Sequence, residues 1–507
     1  MPPKPKPRSR FLRSFPNAGA IVGHPGVSLL VALVCGAAAA NYSIHYALGI
    51  LILWLALVAF YVDRALLSHV LIPPFATIMM WEGLALGVGV PFLTYAREGA
   101  YDRSLLIMQV THIALFPLCY VAYRLGFRGV PRLTFPRDNP VFRSEVIRPL
   151  VLLGWILLVW RVIQITMLAA TGAEDRGEYS TAAQGQVWGV FTYFILFQRF
   201  NNLGFVLLPL VFERARFLGR TILVALLAAY FSIALASGTR GNLLYPIIYC
   251  GVGYFFFGRV RKMRLDLIAL GLVLLSFPLL SFVHRYRNTE AYQTGRTIDV
   301  VTRLKAFKET GKDDGEIDQQ TRRMNIGVVG SALIGVSDAL VYEKTPSSIP
   351  HAGWDNFSAV IYTWVPVYFK ENRPILYDAN DIVAAYMDYE SKSGSTISLR
   401  ADLYRRFGWW GMPVGMAIAW LVYGAACAFA YRTYLFRNAL LGLFLLLLTF
   451  SFFLFRPFGT VLSTWWIWAY DLPKHLVILL ILYVLVVNVT KSRKVGGALA
   501  LEKPRTS

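Results

Sequence analysis

Cysteine is scarce: four among 507 residues, Cys35, Cys119, Cys250 and Cys427, each inside an apolar run. That excludes a disulfide framework and any zinc site built on paired cysteines. Histidine is nearly as sparse, with seven scattered residues and no His-Glu-x-x-His pair, so no helix-borne metalloprotease site is present. A Gly-x-Ser-x-Gly elbow is missing, as is the Gly-Lys-Ser/Thr ending of a P-loop, which sets aside serine-hydrolase and P-loop nucleotide chemistry. No short Asp-x-Asp pair in a loop suggests a bound divalent ion. The reading assigns no metal and no cofactor. Charge is low as well: Asp, Glu, Lys and Arg make up 16% of the chain, against about 25% in soluble domains.

What fills the chain instead is apolar. Hydrophobic residues are 56% and aromatics 15%, and the mean hydropathy is +0.51, which defines an integral membrane protein. The aromatics fall inside apolar runs or near their ends, where interfacial belts place them; this argues against nucleic acid as a partner and for the lipid bilayer. A crossing helix needs about 20 mostly apolar residues. On that rule twelve spans are expected, at 21–41, 45–62, 69–93, 104–124, 147–170, 187–211, 219–237, 242–258, 266–284, 409–430, 438–456 and 471–489.

Basic residues sort the connectors. The formal net charge is +21, and Lys and Arg gather in alternate loops, among them "ERARFLGR", "RVRKMRLD" and "YRTYLFR". Those loops belong on the cytoplasmic side. Both termini fall there too, the basic tail 1–20 and the tail 490–507. The first apolar stretch runs into the second without a small-residue cleavage site, so the N-terminus reads as a retained tail. The expected layout is spans one to nine over 21–284, a large outer segment over 285–408, and spans ten to twelve over 409–489. No internal repeat is visible, and the outer segment has no counterpart in the other half. Within it "TIDVVTRLKAFKET" and "NIGVVGSALIGVSDALVY" have helical spacing, while "EKTPSSIPHAGWD" reads as polar turns, giving a small helical cap on the membrane surface.

Three arginine-bearing segments fall on the outer side. In "ASGTRGNLLYP" Arg240 sits beside Gly238 and Gly241, with Ser237 and Thr239 as hydroxyl donors and a helix starting at once. A guanidinium fork, bare backbone N–H groups and a helix N-terminus together suit a phosphate or diphosphate. "FVHRYRNTE" supplies His284, Arg285, Arg287 and Glu290, and "STISLRADLYRRFGWWGMPVG" supplies Arg400, Asp402, Tyr404, Arg405 and Arg406. Asp402 is spaced for surface ion pairs with Arg405 or Arg406. The competing readings are an arginine that snorkels to the headgroups for the first segment, an interfacial anchor with Tyr286 at headgroup depth for the second, and a solvated helix start with a glycine-bearing bend for the third. Inside the spans lie Glu82, Arg161 and the group Gln198, Arg199, Asn201 and Asn202. Each is a functional candidate because charge at that depth costs several kcal/mol unless paired, and a Glu82 pair with Arg161 or Arg199 that fixes helix packing is the plainer expectation.

Taken in order, these pieces resemble the O-antigen polymerase (Wzy-type) family, the oligosaccharide repeat-unit polymerases. The likeness rests on "ASGTRGNLL", on "WVPVYFKENRP" in the large outer segment, and on "STISLRADLYRRFGWWG", and it covers Tyr230 to Tyr423. Where the family often carries Glu before Leu-Tyr, this chain carries Asp402. The resemblance implies an all-α, GT-C-like membrane glycosyltransferase of the bacterial inner membrane. It would move a growing glycan from undecaprenyl diphosphate to a sugar hydroxyl of another lipid-linked repeat unit at the periplasmic face. Implied partners are the lipid-linked donor and acceptor and a chain-length regulator protein. On this reading Arg240, Ser237, Thr239, Gly241, Arg285, Arg287, Arg400, Tyr404 and Arg405 hold diphosphate and substrate, and Asp402, Glu290 or His351 is the general base. The alternatives are an O-antigen ligase-like transferase and a lipid-linked oligosaccharide flippase. A transporter would usually have paired halves and helices interrupted near the midplane.

Overall fold

The computed structural model describes residues 25–66, 74–96, 101–130, 144–170, 201–238, 240–257, 282–283, 285–287, 289–290, 292, 299–312, 336–361, 382, 385–386, 397–437, 439–453 and 459–501. Every regular element among them is a helix. In chain order they are α1 (Pro25–Ala40), α2 (Ile44–Leu66), α3 (Pro74–Leu84), α4 (Val90–Ala96), α5 (Asp102–Gly126), α6 (Ser144–Ala170), α7 (Asn201–Arg214), α8 (Phe217–Ala236), α9 (Arg240–Phe257), α10 (Val300–Lys312), α11 (Val336–Lys344), α12 (Ser358–Ile361), α13 (Leu399–Arg432), α14 (Ala439–Phe453), α15 (Val461–Trp466) and α16 (Leu472–Leu501). Turns of π-helix join α3 to α4 (Ala85–Gly89) and α15 to α16 (Ile467–Asp471), and another follows α13 (Thr433–Arg437).

Six of these continuous helices are long and apolar enough to cross a membrane: Pro74–Ala96, Asp102–Gly126, Ile147–Ala170, Phe217–Ala236, Leu399–Arg437 and Val461–Asn488. They coincide with the expected spans three, four, five, seven, ten and twelve. The first two expected spans appear as shorter apolar helices, Ser28–Ala40 and Ile44–Ala59. Most of expected spans six and nine, 187–200 and 266–281, lies outside the described residues.

The centre of the bundle is the pair α5 and α13, which run side by side in the same direction. Asp102 in the first turn of α5 and Arg124 in its last match the helix dipole. Small residues set the approach. A Cβ at Gly126 would fall on the Leu421 carbonyl, and one at Gly424 on the Tyr123 carbonyl, so the two backbones touch where glycine leaves no side chain. Around that crossing Phe75, Tyr123 and the fully buried Trp420 interlock, with Phe75 and Trp420 centroids 4.8 Å apart. Gly424→Leu forces the crossing open. It is expected to cost about 1–3 kcal/mol or more and to lower the thermal midpoint of the detergent-solubilised protein, read from the loss of its monodisperse gel-filtration peak on heating.

The π turn between α3 and α4 frees backbone carbonyls that need a donor. Gln109 of α5 supplies one, donating from Nε2 to the Leu86 carbonyl at 3.0 Å and to that of His45 at 3.1 Å. His45 Nδ1 lies 2.9 Å from Gln109 Oε1. One buried amide thus ties α2, α3–α4 and α5 together.

Helix α13 is broken. Ser398 caps its start, accepting from the Ala401 N–H, but Gly408 adopts φ 66° and ψ −159°, a conformation only glycine takes without strain. On an unbroken helix Leu403 and Gly415 would stand about 18 Å apart. Instead the Leu403 side chain lies against Gly415, and Arg400 and Met416 line one cavity. Residues 399–407 therefore fold back along 409–416, into the bundle.

The neighbouring α11 follows them. Ala339, Val341 and Tyr342 are buried, and Asp338 accepts the Ser398 N–H at 2.8 Å. Parts of the segment expected as a cap on the membrane surface are thus built into the helix bundle. The reason is that their polar groups satisfy one another, which a count of apolar residues does not register.

Candidate functional site

The arginine turn comes first. Between α8 and α9 the chain reverses at Ser237 and Gly238, the latter at φ +60°. The Ser237 hydroxyl donates to the Ala234 carbonyl at 3.0 Å, so it serves its own helix end. Two tyrosines close that end from a distant part of the chain: Tyr286 donates to the Ala236 carbonyl at 3.2 Å and Tyr292 to the Ser237 carbonyl at 2.7 Å. Burial pushes the Tyr286 phenol up to about 12, so it remains a neutral donor at ordinary pH. The same segment carries Arg285 and Arg287, and the Arg287 side chain packs against Gly238, 3.0 Å from where a Cβ would stand. Arg303 of α10 lies 4.4 Å over the Tyr292 ring and donates to its carbonyl at 3.1 Å. Glu290 is exposed.

Arg240 and Gly241 form the first turn of α9. The Arg240 side chain and Thr239 lie outside the described residues, as does His284.

Arg161 of α6 stands beside this turn. Its guanidinium donates to Gln164 Oε1 at 2.9 Å, to Asn242 Oδ1 at 2.8 Å and to the Tyr230 hydroxyl at 3.3 Å. Asn242 belongs to the first turn of α9, so Arg161 fastens α6 to the start of that helix. The expected Glu82 pair with Arg161 is not formed: the Nη groups of Arg161 donate to these neutral partners, and Glu82 is engaged by other residues. Arg199 and Gln198 lie outside the described residues, and of Asn201 and Asn202 only the helical backbone is described.

The partners of Glu82 are found elsewhere. Its Oε2 is 2.9 Å from Arg400 Nη2 and 3.2 Å from His112 Nδ1. His112 lies ten residues into α5, about 15 Å along a helix some 37 Å long, so the ion pair sits near mid-span. The rim position expected for Arg400 is corrected accordingly: the fold-back at Gly408 carries this arginine inward to a carboxylate.

Asp402, two residues on, is fully buried instead of forming surface pairs. One oxygen takes Arg405 at 2.6 Å and the other takes Arg406 at 3.3 Å and the Val461 N–H at 2.7 Å. Arg406 in turn donates to the carbonyls of Gly353 at 3.2 Å and Asp355 at 2.8 Å. A single carboxylate thus staples the re-entrant part of α13, the loop 351–357 and the start of α15. Tyr404 is buried, donates to the Thr345 carbonyl at 3.0 Å and packs on Trp409 with centroids 4.6 Å apart. His351 is exposed above Gly408, with Nδ1 donating to the Arg405 carbonyl at 3.2 Å.

Of the residues read as one anion site, the structure joins Arg287 to the Ser237–Arg240 turn, through Gly238. It commits Arg400 to Glu82 and His112, and Arg405 to Asp402. Sequence reasoning missed His112, Tyr292 and Arg303. His112 shares mid-span depth with Glu82, a signal readable from the span boundaries; the two other residues carried none.

Fold and site together define an all-helical integral membrane protein with charged groups held inside its bundle. Compared with known protein families, with curated proteins and with solved structures, the chain matches none.

Proposed function

We propose that this protein polymerises lipid-linked oligosaccharide repeat units, as a twelve-span, GT-C-like glycosyltransferase of the bacterial inner membrane with both termini in the cytoplasm. The observation that supports this reading most is the seating of the Arg287 side chain and of the Tyr286 and Tyr292 hydroxyls on the Ala236–Gly238 turn that leads into α9. Arg287 thus packs on a turn that lies some 50 residues earlier in the chain and leads directly into the helix that Arg240 opens. That combination suits a diphosphate: guanidinium groups held in place neutralise the charge that grows on the leaving group as the glycosidic bond breaks. Such a donor is already activated. The acceptor sugar hydroxyl gives its proton to a general base, and with Asp402 engaged by two arginines and an N–H, the exposed Glu290 and His351 are the better candidates.

A second reading, a lipid-linked oligosaccharide flippase, is favoured by the helix broken at Gly408 and by the charges near mid-span. One assay separates the readings. Purified protein is incubated with lipid-linked repeat units in liposomes: a ladder of longer glycans supports the polymerase, transfer only after lipid A is added supports a ligase, and movement across the bilayer without bond formation supports a flippase. In the polymerase assay Arg240→Lys is expected to cut turnover at least tenfold, about 1.4 kcal/mol of transition-state stabilisation, because the charge stays but the two-pronged donor is lost. Full turnover in a correctly inserted variant removes Arg240 from the site.

A further inference from the structure

We propose that Glu82, His112 and Arg400 form a proton-binding site inside the bundle, with the His112 imidazole as the group that takes up the proton. The inference stands on this geometry and does not depend on the glycan reading. One atom carries the argument: His112 Nδ1 faces both Arg400 Nη2, at 3.1 Å, and Glu82 Oε2, at 3.2 Å. That nitrogen bears either a lone pair or a hydrogen. With a lone pair it accepts from Arg400 and faces the Glu82 oxygen with no hydrogen between them. With a hydrogen it donates to Glu82 and turns an N–H toward the guanidinium. Each form makes one of the two contacts and spoils the other, so neither is locked.

Proton uptake joins the two forms in a balanced step. A proton delivered from water bonds to the Nδ1 lone pair, the hydrogen bond from Arg400 is released, and the imidazolium donates to Glu82. Release to water reverses each change. The Arg400–Glu82 pair is neutral as a unit, so the site carries no net charge with neutral His112 and one positive charge after uptake. The other titratable groups near Arg400 are Cys119 of α5 and Asp338 and Tyr342 of α11. Asp338 is itself held by the Ser398 N–H.

The surroundings fit a proton site. Glu82, His112 and Arg400 line a small cavity with Met79, Leu115 and Met416, and its size suits about one water molecule, the carrier a proton needs. His112 is 3% exposed and Arg400 8%, and Arg400 Nε has no hydrogen-bond partner among the described residues. Arg400 also reaches the site on the part of α13 folded back at Gly408, so the proton is read by a segment whose path depends on that break.

The test uses the full chain in lipid nanodiscs with 15N-labelled histidine, and His112→Gln assigns the signal. The His112 resonance is expected to convert between two forms as the pH is varied over the range in which the wild-type protein stays folded. Glu82→Gln, which removes the negative partner, should weaken proton binding at least about tenfold, while Arg400→Gln, which removes the positive one, should strengthen it by a similar factor. Arg400→Lys keeps the charge and should change it little, which covers the case where Arg400→Gln does not fold. A wild-type signal held in one form across that range overturns the proposal, and so does a midpoint that Glu82→Gln leaves unmoved.

Discussion

Asp402→Ala is expected to leave little folded protein. The carboxylate is fully buried and holds two arginines and a backbone N–H, so its removal strands cations that water does not reach. Breaking a buried pair from one side costs about 3–5 kcal/mol, a large part of the stability an ordinary domain possesses. The damage extends beyond the pair, because Arg406 also holds the carbonyls of Gly353 and Asp355 and the Val461 N–H opens α15. Asp402→Asn retains the shape and an acceptor oxygen while losing the charge, and should fall between wild type and Ala. Yield, monodispersity and thermal midpoint are the measurements. They also separate two roles for this residue: a general base replaced by Asn gives a well-folded, inactive protein, whereas a staple gives a loss of midpoint that accounts for the loss of turnover. A midpoint within about 1 kcal/mol of wild type in Asp402→Ala would show that the two arginines find other partners.

The helices of the bundle were legible in the sequence because hydropathy is additive: α5, α6, α8 and the second part of α13 announce themselves by runs of apolar residues of membrane length. Partners were not. Arg400 and Glu82 are 318 positions apart, and nothing in either neighbourhood names the other. The segment from Ser398 to Phe407 reads as outer loop because it carries four charges in a short stretch, yet Asp402 cancels against Arg405 and Arg406, and Arg400 against Glu82. Once paired, those charges enter the bundle at a cost the sequence count overstates. The same blindness hid the tyrosine caps. Tyr286 lies in a segment that reads as an interfacial anchor and Tyr292 carries no signal, and only the fold shows their hydroxyls closing the end of α8.

The mid-span ion pair yields the second large effect, and its sign depends on which partner is removed. Glu82→Leu leaves the Arg400 guanidinium buried beside a histidine that cannot offer it a negative charge, so a loss of about 3–5 kcal/mol is expected at every pH. Arg400→Met is different. It strands the Glu82 carboxylate, but His112 Nδ1 stands 3.2 Å away and, once protonated, replaces the lost cation. The variant should therefore be unstable in alkali and recover as the pH falls and His112 takes up a proton beside the stranded carboxylate. Replacing both, Glu82→Leu with Arg400→Met, removes the charges together and returns stability to within about 1–2 kcal/mol of wild type, since an apolar pair of similar volume often substitutes for a buried ion pair. Thermal midpoints of the three variants, taken at several pH values in detergent, decide the matter. Acid recovery in Arg400→Met, absent from Glu82→Leu, is the pattern that a proton on His112 produces and that a static salt bridge does not.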